Sequence, residues 1–72
     1  MKKFKVIYVN TLTTIETGLK VGDIVTFMKK ENGYNIYKLP KHLFGRGHNG
    51  GGRYKVFNYW CLRDVNVKEV IS

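Results

Sequence analysis

Apolar and polar residues alternate with a period of two over much of the chain, the spacing of a half-buried strand. From Lys3 to Val9, Phe4, Val6 and Tyr8 fall on one face, and Lys5, Ile7 and Val9 on the other. Asp23 to Lys30 carries the unbroken run Ile24-Val25-Thr26-Phe27-Met28, which predicts a central strand covered on both faces. Glu31-Asn32-Gly33 follows. Asn-Gly between two strand patterns predicts a tight hairpin, because both residues tolerate positive φ. Tyr34 to Leu39 is the return strand, and Pro40, which has no N–H for a ladder, ends it. Tyr54 to Cys61 predicts a fourth strand, with Tyr54, Val56, Asn58 and Trp60 alternating against Lys55, Phe57, Tyr59 and Cys61. Leu62-Arg63-Asp64 has room for one helical turn, and Val65, Val67 and Ile71 outline a fifth strand.

The connecting segments read differently. Asn10 to Thr17 is polar and threonine-rich and reads as a loop. Gly18 to Asp23 sets Leu19 and Val21 between glycines, a tight, bent approach to the next strand. Lys41 to Arg53 holds five of the eight glycines and reads as irregular. No internal repeat or linker interrupts the 72 residues, so 1–72 reads as one domain.

Composition sharpens the fold class. Eighteen residues are Val, Ile or Thr, and the chain has neither Ala nor Gln. That alphabet favours pleated strands over helices. The expectation is an all-β, five-stranded barrel with a long Gly-rich loop between strands three and four, since closure removes adhesive edges. An OB-fold is the alternative topology. It calls for a helix between strands three and four, and Lys41–Arg53 is a poor one.

The order of connections resembles the SH3-like barrel plan: a long polar loop after strand one, a tight Asn-Gly hairpin, and one helical turn before the last strand. Leu19-Lys20-Val21-Gly22-Asp23-Ile24-Val25 resembles the approach to the second strand in SH3-like and KOW-like barrels. Gly47-His48-Asn49-Gly50, followed by Trp60-Cys61-Leu62, is similar to small phage-encoded barrel proteins. The resemblance implies a phage or mobile-element origin and a place in the host cytoplasm. The acidic first loop and paired tryptophans of peptide-binding SH3 domains are missing, so proline-rich ligands are not implied.

Charge narrows the function. Thirteen Lys and Arg stand against five Asp and Glu, a net charge of +8. No acid lies between Glu31 and Asp64, a window that holds seven of the ten aromatics. Basic residues attract phosphates and exposed aromatics stack on bases, so the expected partner is RNA or DNA. Lys41, Arg46, His48, Arg53 and Lys55 are the anion-binding candidates, with Tyr37, Tyr54, Tyr59 and Trp60 as stacking candidates. Gly45, Gly47 and Gly50 match G-x-G-x-x-G formally, but no strand-to-helix context frames them, so a backbone nest for an anion is all that survives. The alternative is a protein-interaction module that docks on an acidic host factor, in host takeover or counter-defence, or that sequesters a small anionic signal. Monomer and homodimer both remain open.

Other chemistries find little support. A single cysteine, Cys61, allows no internal disulfide and fits a reducing compartment. His42, His48 and Cys61 lack the paired short spacings of structural zinc. Cys61 has no base with an orienting third group, and the carboxylates are few and scattered, so neither catalytic residues nor a cofactor are expected. No apolar run reaches the roughly 20 residues of a membrane span, and the basic start lacks the pattern of a signal peptide.

Overall fold

The computed structural model describes the backbone of residues 1–48 and 54–71 and the side chains of 1–47 and 56–71. Among the described residues, seven strands and one short helix follow in the order β1 (Lys3–Val6), α1 (Thr11–Thr17), β2 (Ile24–Glu31), β3 (Tyr34–Lys38), β4 (Gly45–His48), β5 (Tyr54–Phe57), β6 (Tyr59–Leu62) and β7 (Val67–Glu69), with a 3-10 turn at Asp64–Asn66. Five strands form an antiparallel sheet in the order β6-β3-β2-β1-β7, and β4 and β5 make a separate two-stranded ribbon. The β-rich class stands. The sheet is not closed: among the described residues, the edge strands β6 and β7 do not pair. β7 is only three residues long and its ladder is taken up by β1.

Local chemistry explains the elements. Asn32 (φ 51°) and Gly33 (φ 81°) both sit in the left-handed region, the requirement of the tight turn that joins β2 to β3. β2 is the central strand, as its apolar run predicts, but its outer face is not covered: Ile24 and Met28 are exposed, and the pairing register with β3 shifts between Phe27 and Lys29. The predicted fourth strand is broken by a bend at Asn58 into β5, which pairs with β4, and β6, which pairs with β3.

Two segments expected to be irregular are ordered. Asn10–Thr17 is not a loop but a capped helix. The Asn10 side chain accepts from the Thr13 N–H at 2.8 Å, and Gly18 (φ 79°) closes the C-terminus by donating to the Thr14 carbonyl at 2.7 Å. Seven residues are too few to hold a helix alone, so caps and packing sustain it. The Thr17 hydroxyl is buried, donates to the Thr13 carbonyl at 2.7 Å and accepts from the Leu19 N–H at 3.0 Å. Gly45–His48, placed in the expected Gly-rich loop, is strand β4.

The core gathers Val6, Leu19, Val25, Tyr37, Leu39, Leu62 and Val67, with Phe4, Phe27 and Trp60 packed against it. Tyr37 meets Phe4 and Phe27 edge-to-face, with centroids 5.3 and 5.7 Å apart. These inward residues leave the opposite face of the sheet to solvent, which positions the site described next. Among the described residues, no helix is long and apolar enough to cross a membrane.

Candidate functional site

Strand alternation sorts the sheet into two faces. Phe4 and Val6 of β1 point into the core, so Lys3 and Lys5 point out. Strand pairing then builds two rows across the outer face. One row runs Lys3, Thr26, Lys38, Tyr59 through β1, β2, β3 and β6. The other runs Lys68, Lys5, Ile24 through β7, β1 and β2. Lys3 Nζ donates to Thr26 Oγ1 at 3.2 Å, which holds that lysine along its row. All four lysines and Tyr59 are exposed.

Neighbouring strands lie about 4.8 Å apart, so the backbones of Lys3 and Lys38 are roughly 10 Å apart. Lys5 and Lys68 are direct cross-strand partners, an arrangement that like charges disfavour. Among the described residues, neither lysine is in an ion pair with an acid. Glu69 pairs with Phe4 and so shares the other face, and Glu31, at the far end of β2, is engaged with Lys29 at 2.8 Å. That ion pair also raises the Lys29 ammonium above its usual pKa, mainly through the hydrogen bond to Glu31 and then its charge. The outer face is therefore a row of amines with an exposed phenol at one end, suited to phosphate attraction and to stacking of a flat ring.

The residues singled out from the sequence scatter. Tyr59 joins the lysine face. Tyr37 does not: it is 1% exposed in the core, so no base can stack on it. It was misplaced because Tyr37 and Ile36 are both buried, which blurs the alternation of β3. Trp60 is half-buried, on the inward side of β6, and covers Gly45. Arg46 is exposed on β4 and Lys41 on the turn after Pro40. His48 and Tyr54, and Gly47 and Lys55, are register partners in the β4–β5 ribbon. The side chains of His48, Tyr54 and Lys55, and the whole of Arg53, lie outside the described residues.

Gly45 and Gly47 have a packing role, and Gly50, the third glycine of the expected anion nest, lies outside the described residues. A Cβ at Gly45 would overlap the Trp60 ring, and one at Gly47 would come within 3.0 Å of the Phe57 ring. Phe57 in turn meets Tyr59 edge-on, with centroids 5.4 Å apart. The glycines thus let β4 lie close over the aromatics of β5 and β6.

The sequence reading missed Lys3, Lys5, Lys38 and Lys68 as a group. Alternation around Phe4 and Val6 gives the facing of the first two, but their union with Lys38 and Lys68 needs the strand order. Cys61 is an exposed free thiol on the edge strand β6. Among the described residues, no three His, Cys, Asp or Glu side chains converge as metal ligands do. Set against known protein families, curated proteins and solved structures, the chain finds no match.

Proposed function

We propose that this chain is a small basic binding module that holds RNA or DNA on the outer face of its five-stranded sheet. The carrying observation is the pair of cross-strand rows that set Lys3, Lys5, Lys38 and Lys68 around Thr26 and Tyr59 without an opposing acid. Lysines give contacts with phosphates and little sequence preference, and Tyr59 gives a stacking surface. The SH3-like plan is supported by the Asn32-Gly33 turn, by the 3-10 turn before β7 and by the return of β7 to β1. The basic charge of the whole chain favours the same ligand by long-range attraction.

A salt series with a short single-stranded oligonucleotide tests the reading. Four phosphate contacts predict that log K falls against log salt with a slope of about −3. Lys38→Ala and Lys5→Ala should each flatten the slope by about 0.7. Arg46→Ala, away from these rows, should leave it unchanged. Tyr59→Ala should weaken binding by about 1–3 kcal/mol at every salt concentration. A slope near zero overturns nucleic-acid binding, and a slope that responds to Arg46 but to neither lysine moves the site to the ribbon.

A further inference from the structure

Helix α1 is amphipathic in the wrong sense. Two of its threonines face the protein, Thr17 buried and Thr13 half-buried, while Thr11 and Thr14 are exposed. Its large apolar residues face solvent: Leu12 is 64% and Ile15 70% exposed. They stand three residues apart and so lie side by side on the helix surface. Ile15 continues into a cleft of about 360 Å³ between α1 and the β4–β5 ribbon, where Phe44 (56% exposed) and Val56 (60%) extend the same apolar stripe. A surface helix normally turns its apolar stripe to the core, and a contiguous exposed patch marks an interaction surface.

Charge selects the occupant. Arg46 is the register partner of Val56 and lines the cleft with His42, while Lys41 stands exposed beside His42 on the same turn. Among the described residues, Glu16 is the one acid that lines it. A second copy of a chain with net charge +8 would bring like charge against this rim, so self-association through the patch is disfavoured. An acidic partner gains on both counts. We infer that the cleft between α1 and the β4–β5 ribbon docks an acidic segment of another protein that presents large apolar side chains. Leu12, Ile15, Phe44 and Val56 take the apolar side chains, and Arg46 and Lys41 meet the carboxylates. This surface is separate from the lysine rows of the sheet, so it stands or falls independently of nucleic-acid binding.

The probe is a synthetic amphipathic peptide of about 14 residues, roughly four helical turns, with leucine and phenylalanine on one face and glutamate on the other. It is titrated into the isotope-labelled full chain while amide shifts are followed. Saturable shifts should centre on Leu12, Ile15, Phe44 and Val56. Replacing every glutamate of the peptide by lysine should weaken binding at least tenfold. Ile15→Ser should weaken the acidic peptide at least tenfold without changing the unfolding midpoint, since Ile15 is exposed already. Arg46→Glu should invert the preference between the acidic and basic peptides. No shifts up to millimolar peptide, equal binding of both peptides, or peptide-independent dimerisation through these residues would each overturn the inference.

Discussion

Substituting Gly45 by alanine decides what the tryptophan is for. The φ of Gly45 lies outside the left-handed region, so alanine meets no backbone strain there. On backbone grounds alone Gly45→Ala should stabilise the fold by about 0.4–1 kcal/mol, by restricting the unfolded chain. The Trp60 ring reverses that sign. The new methyl would overlap the six-membered ring of the indole, a rigid plate already packed against the core. Overpacking of this kind costs about 1–3 kcal/mol, so the net change is a loss of roughly 1–2 kcal/mol. In a domain this small each kcal/mol lowers Tm by about 4–8 °C. Trp60 is the only tryptophan, so its fluorescence follows the contact directly through urea unfolding. The double variant Gly45→Ala/Trp60→Leu should show strong coupling, with the alanine nearly harmless once the ring is gone. Gly45→Ala at or above the stability of the parent chain would refute the packing. It would also return Trp60 to the surface as a stacking residue.

Three further outcomes follow from the same geometry. Thr17→Val keeps the shape of the side chain but leaves the Leu19 N–H without its acceptor in a buried place, so urea unfolding should show a loss of about 1–3 kcal/mol; a change within 0.5 kcal/mol would remove that role. Burial holds the Tyr37 hydroxyl above its usual 10.0, opposed by a hydrogen bond with Asn35 and reinforced by the charge of Asp64. The folded state then keeps its proton longer than the unfolded chain, so stability is level below pH about 10 and falls as pH rises through and beyond that value. Tyr37→Phe should abolish that alkaline fall in denaturation midpoints, and an unchanged fall would assign it to other groups. Lys68→Glu should turn the repulsive pair with Lys5 into an attractive one, raising stability by about 0.2–1 kcal/mol at low salt while weakening oligonucleotide binding. The stability gain should shrink as salt rises; stability and binding that fall together would instead mean a structural role for Lys68.

What was legible in the sequence was what local rules decide. β2, β3 and the turn between them follow from an apolar run, an Asn-Gly pair and a proline stop, all within one short stretch. α1 was missed because threonine weighs against helix in any propensity sum. The signals that outvote it were present: Asn10 and Gly18 bracket the segment as an N-cap and a left-handed C-cap. Gly45 and Gly47 read as loop because glycine is permissive. Their use depends on Phe57, which reaches Gly47 once β4 pairs with β5, and on Trp60, which reaches Gly45 only once the ribbon and the sheet have come together. The lysine face has the same character. Lys3 and Lys38 are far apart in sequence, and only the order β3-β2-β1 makes them near neighbours.

The two surfaces share a physical property that links them to function. A sequence selected for stability alone would not set Lys5 opposite Lys68, nor turn Leu12 and Ile15 outward while Thr13 and Thr17 face in. Each arrangement costs folding free energy, one through repulsion and the other through apolar surface left in water. In a chain of 72 residues, with a small core and one cysteine, such losses are not easily absorbed. Local rules that are broken without a compensating contact inside the molecule are expected where the compensation comes from outside it. On the two proposals above, an anion on the sheet face and an apolar, acidic segment in the α1 cleft would supply it. The two lie on different elements, β1, β2, β3, β6 and β7 for the first and α1 with β4 and β5 for the second. If both proposals hold, the two ligands would not compete, and a nucleic acid and the acidic peptide should bind the chain together with unchanged affinities.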